Sequence, residues 1–85
     1  MELAAQIDAV VEVVLRHGVE VRREHLGGGG GGLCTLRGRK VLFIDMDADP
    51  ATRLEQSLAG MRLLPGVADI FMPPEIRERL DGNLG

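Results

Sequence analysis

Three aspartates at alternate positions are the feature of this sequence most suggestive of chemistry. Asp45, Asp47 and Asp49 lie in the run Val41-Leu42-Phe43-Ile44-Asp45-Met46-Asp47-Ala48-Asp49-Pro50. Alternate residues of an extended chain share a side, so three carboxylates could converge near the C-terminal end of one strand. Hard cations such as Mg²⁺ or Ca²⁺ take oxygen ligands of this kind. The three residues also occupy the first, third and fifth ligand positions of a calcium loop, but Pro50 then replaces the turn glycine and Gln56 stands where a bidentate Glu belongs. A simpler reading competes, and we prefer it. Asp49 before Pro50 is a helix N-cap, with proline at the first helical position. Asp45 and Asp47 are then a solvated strand end facing the positive end of that helix.

The second feature is the run Gly27, Gly28, Gly29, Gly30, Gly31 and Gly32. Glycine loops can cradle phosphate with backbone N–H groups, and the well-known versions lead directly into a helix. Here Leu33-Cys34-Thr35-Leu36 follows and reads as a strand, and no Gly-Lys-Ser/Thr is present. A nucleotide loop is therefore not expected. The run is either a flexible connection or an ordered contact surface. Ordering costs about 1–2 kcal/mol per residue in backbone entropy, so order would call for a partner or ligand. Cys34, directly after the glycines, belongs to the same candidate contact loop, and His25 flanks it on the other side. Two such ligands make no zinc site unless a second copy supplies two more. The plainer reading of Cys34 is a small buried residue, and that of His17 is a helix C-terminal cap.

Recognisable elements must position these residues. Residues 2–16 carry Leu3, Ile7, Val10, Val11 and Val14 at helical spacing, and Gly18 is a stop. Residues 19–25, 33–37 and 40–46 read as strands, with Arg37-Gly38-Arg39 a tight hairpin turn. The third strand is apolar on both faces, as a central strand is. Residues 51–63 form a helix with Leu54, Leu58 and Met61 on one stripe. Residues 69–72 could add a short fourth strand, and Pro74 opens a short last helix.

The chain has 85 residues, is 45% apolar and 27% charged, and carries a net charge of −3. This describes one small folded domain. A net negative charge with no Tyr or Trp argues against nucleic-acid binding. No apolar run approaches the roughly 18 residues of a membrane span. Glu2 and Asp8 do not suit a secretory leader. A single cysteine allows no internal disulfide, and so short a chain buries only about 60% of its unfolded surface. Pairing with a second copy or a larger partner is expected, and so is a cytoplasmic location.

An apolar strand ending in Asp-x-Asp resembles the first motif of haloacid-dehalogenase-type phosphotransferases, with either Asp45/Asp47 or Asp47/Asp49 aligned. The Thr or Ser that follows in that family is missing, and the remaining chain is too short for its other catalytic residues. The order helix, His17-Gly18-Val19-Glu20-Val21 strand, hairpin, strand, helix resembles the core of minigluzincin-type zinc peptidases over about residues 8–64. That family carries His-Glu-x-x-His on the last helix. The matching segment here, Leu54-Glu55-Gln56-Ser57-Leu58-Ala59-Gly60-Met61, has no histidine. The resemblance implies a domain without metal ligands or peptidase activity that acts in recognition.

Together these observations predict an α+β domain, with a mainly antiparallel sheet of three or four strands packed on two helices and a short C-terminal helix. The function expected is a non-catalytic, homodimeric interaction or regulatory module. Its contact surface would use Gly27–Gly32, Cys34 and an exposed apolar Ile70-Phe71-Met72. The alternative is a divalent-metal or phosphate site, or a small enzyme, built on Asp45, Asp47 and Asp49. No other cofactor is implied.

Overall fold

The computed structural model describes residues 1–82. It contains helix α1 (Leu3–Arg16), strands β1 (Glu20–Glu24), β2 (Gly32–Leu36) and β3 (Arg39–Asp45), helix α2 (Pro50–Arg62), a 3-10 turn at Val67–Asp69 and helix α3 (Pro74–Asp81). The protein is α+β as expected, and β3 is the central strand. The expectation of a mainly antiparallel sheet is corrected. β2 pairs antiparallel with β3, whereas β1 pairs parallel with it, giving a mixed sheet of order β1-β3-β2. The chain leaving β1 does not turn back beside it. It passes over the C-terminal end of β3 and comes down on the far side as β2.

Local signals set the hairpin. β2 and β3 are joined by Arg37 and Gly38, both with positive φ, 51° and 78°. Two such residues match the twist of the flanking strands. Glycine takes this conformation freely, and Arg37 takes it at a steric cost. Asp49 caps α2 by accepting a hydrogen bond from the Thr52 N–H at 2.7 Å, with Pro50 at the first helical position.

The core lies between one face of the sheet and the helices. Ile7, Val10, Val11 and Val14 of α1 and Leu54, Leu58 and Met61 of α2 are buried against Leu42 and Ile44 of β3. Gly60 brings α2 close to the sheet, since a Cβ there would meet Leu42 Cδ1 at 3.0 Å and Leu33 Cβ at 3.2 Å. Alternation along β3 sends Val41, Phe43 and Asp45 to the other face, which no helix of the described residues covers.

The fourth strand predicted at 69–72 is absent among the described residues. The segment is a 3-10 turn followed by extended chain, tied down by Arg77, which donates to the carbonyls of Val67 and Ile70. The expected exposed Ile70-Phe71-Met72 surface is also corrected. Ile70 and Met72 point into the core, and only Phe71, 85% exposed, faces outward. In an extended segment neighbours point to opposite sides, so the aromatic residue is the one left out.

Candidate functional site

The aspartate cluster and the glycine run form one structure. The chain between β1 and β2 must span two strand spacings, about 10 Å, across the end of β3. Asp45 stands beneath that crossing. Its Oδ1 accepts from the N–H groups of Leu26 at 3.0 Å and Asp47 at 2.9 Å. Its Oδ2 accepts from Gly28 at 2.6 Å and Gly30 at 2.9 Å. Asp45 is fully buried, so the reading of it as a solvated strand end is corrected. Burial by itself pushes the carboxyl pKa up. The N–H groups of Gly30, Leu26, Asp47 and Gly28 outweigh burial and bring it from the usual 3.8 to about 2.

Asp47 sits outside this nest. It accepts from His25 Nδ1 at 2.8 Å and from the Gly27 N–H at 2.9 Å. The His25 hydrogen bond, and then that of Gly27, hold its carboxyl below the usual range. Asp49 is held low chiefly by its Thr52 cap. His25, expected as a possible neighbour of Cys34, is therefore engaged with Asp47.

The loop is also held from the helix side. Gln56 Nε2 of α2 donates to the Gly28 carbonyl at 3.2 Å. Its side chain packs where a Cβ on Gly31 would lie, 2.1 Å from Oε1. A Cβ on Gly30 would come within 2.4 Å of Leu26 Cβ and 3.1 Å of Leu26 O. The glycine run is thus ordered by the protein's own groups, and no side chain fits at its closest approaches. Gly29 is the exception, with open space around it and an ordinary φ.

The structure brings Asp45, Asp47 and the glycine run together, and it gives several of these residues surroundings other than those expected. Cys34 is exposed rather than buried. His17 does cap α1, its Nδ1–H donating to the Val13 carbonyl at 2.9 Å. Gln56 was missed as a loop anchor. The available signal was the glycine run itself, because its peptide C=O groups, with no side chains nearby, need donors once ordered, just as its N–H groups need acceptors.

Chemically, the arrangement is a backbone anion nest already filled by an internal carboxylate. A phosphate would have to displace Asp45 to use the same N–H groups. Among the described residues, no group of three or more His, Cys, Asp or Glu side chains is arranged to hold a metal ion. Clefts lie elsewhere: one of about 400 Å³ between α2 and α3 lined by Glu55, Arg62 and Glu75, and one of about 410 Å³ on the open sheet face lined by Glu20, Arg22 and Leu36. No helix of the described residues is long and apolar enough to cross a membrane. Comparison with protein-family models, with curated proteins and with solved structures finds no match to this chain.

Proposed function

We propose that this domain is a non-catalytic, self-associating interaction module whose contact surface includes the glycine loop and the adjacent Cys34. One observation carries the reading. A buried carboxylate with four backbone N–H bonds holds in place a nearly side-chain-free stretch of exposed main chain. Besides joining β1 to β2, this anchoring pre-orders the loop, and a pre-ordered loop meets a partner without the entropy loss of ordering on contact. The layout resemblance to minigluzincins points the same way, since α2 lacks the histidines that family uses.

Molar mass measured by light scattering across a protein concentration series tests the reading, with Gly29→Arg as the probe. The arginine has room at its Cβ, so it leaves the fold intact while projecting from the loop. The parent is expected to dimerise with rising concentration, and Gly29→Arg to shift that transition to higher concentration. A parent monomeric throughout overturns the reading, and a dimer indifferent to Gly29→Arg removes the loop from the interface.

A further inference from the structure

The two free edges of the sheet are chemically unlike. β1 reads Glu20-Val21-Arg22-Arg23-Glu24 along its edge, four charges in five residues. Charges on an edge strand discourage pairing with another chain. β2 reads Gly32-Leu33-Cys34-Thr35-Leu36, with none. Its Cys34, Thr35 and Leu36 are exposed. Gly60 of α2 packs on Leu33 of this strand, and Leu63, directly after that helix, is 68% exposed.

The register determines which backbone groups this edge offers. A two-residue turn makes the flanking pair Leu36–Arg39 hydrogen-bonded. Pairs alternate from there, so Cys34–Val41 and Gly32–Phe43 are also hydrogen-bonded. The bond from the Met46 N–H to the Glu24 carbonyl agrees, placing the even-numbered residues of β3 toward β1 and the odd-numbered ones toward β2. The N–H and C=O groups of Leu33 and Thr35 therefore point away from the sheet.

From this the geometry points to a homodimer in which β2 pairs antiparallel with β2 of a second copy about a two-fold axis at Cys34. The inference rests on the self-association proposed above and names its geometry. In this register Leu33 and Thr35 of one copy face Thr35 and Leu33 of the other, and four hydrogen bonds join two three-stranded sheets into one of six strands. The two Cys34 residues form the central non-hydrogen-bonded pair, with Cα atoms about 4.5 Å apart. Leu36 of each copy falls opposite Gly32 of the other, where no side chain competes for the space.

Charge supports a second copy as the occupant. The hairpin end of the sheet carries Arg37, Arg39 and Lys40 against Glu20, and the loop end exposes Glu24, Asp47 and Asp49 against His25 and Arg53. An antiparallel two-fold pairing sets the basic end of each copy beside the acidic end of the other, and such complementarity fixes register. It also places the glycine loop of one copy against the Arg37-Gly38 turn of the other.

Cys34 is the single cysteine of the chain, so any disulfide it forms joins two molecules. The expected Cα separation suits a disulfide. Diamide, which takes two electrons and two protons from a pair of thiols, should link the dimer through Cys34 at a rate per dimer independent of dilution. Thr35→Pro removes an outward N–H without touching a bond to β3, and proline is tolerated at such edge positions. It deletes two of the four intermolecular bonds and should weaken dimerisation by at least about 100-fold. A parent dimer that does not cross-link, or whose cross-linking rate scales with protein concentration, overturns the edge geometry and leaves self-association standing. Cross-linking in the parent keeps the test independent of whether Thr35→Pro folds. A parent monomeric at all concentrations overturns both readings and leaves the edge to a strand from a different protein.

Discussion

Asp45→Asn tests the central structural claim by exchanging a single carboxylate oxygen for an NH₂ group. Asparagine keeps one carbonyl oxygen, which can accept the N–H pair now bound to Oδ1 or the pair bound to Oδ2, but not both. Its NH₂ then meets the other pair, donor against donor. With the amide turned toward the glycines, the bonds lost are those of Gly28 at 2.6 Å and Gly30 at 2.9 Å. Hydrogen bonds to a charged acceptor are stronger than neutral ones, and breaking them at a fully buried side chain leaves both sides unsatisfied. In a domain of this size each such loss lowers the melting temperature by several degrees, so a fall of about 10–20 °C is expected. Thermal unfolding by circular dichroism gives the global effect. Amide hydrogen exchange gives the local one: Gly28 and Gly30 should lose protection while β3 amides bonded to β1 keep theirs. A variant that melts within about 2 °C of the parent, with both glycine amides still protected, refutes the claim that this carboxylate orders the loop.

Other outcomes follow from the same contacts. The pKa of Asp45 is lowered on folding, so the unfolded chain binds its proton first. The stability it contributes is present above about pH 4 and lost as pH falls toward about 2, and acid titration of the melting temperature should be flatter in Asp45→Asn. Gly30→Ala should destabilise by about 1–3 kcal/mol because the new Cβ overlaps Leu26, whereas Gly29→Ala should be neutral or stabilise by up to about 1 kcal/mol in urea unfolding. Ile70→Ala should cost about 2–5 kcal/mol in urea unfolding, while Phe71→Ala stays within about 0.5 kcal/mol. Millimolar Mg²⁺ or Ca²⁺ should leave the melting temperature unchanged. A rise of several degrees would restore the aspartates as a metal site, since a ligand selective for the native state must stabilise it.

What could be read from the sequence was what neighbours along the chain decide. The helical spacing of the valines in α1, the Asp49-Pro50 start of α2 and the Arg37-Gly38 turn are set within a few residues, and each element appears where expected to within a residue or two. The parallel pairing of β1 with β3 was not legible, because Glu20 and Val41 meet only through a crossing that no local pattern specifies. Asp45 was misjudged for a related reason. A carboxylate beside two others looks solvated, and three of the four donors that bury it, Leu26, Gly28 and Gly30, are too distant in sequence to be read as its partners. Phe71 misled by its type, since apolar character says nothing about which of three extended neighbours points inward.

The crossing over β3 also bears on the order in which the chain can fold. The β2–β3 hairpin closes through two residues and can form on its own early. The β1–β3 pairing must first close a much longer segment, and its loop-closure entropy comes before any contact rewards it. Asp45 lies at the final residue of β3, where the loop must arrive for β1 to come into register. The carboxylate therefore acts as a catch for the last segment to dock, so the N-terminal strand should be the first to detach when the domain opens from its native state, with β2 and β3 still paired.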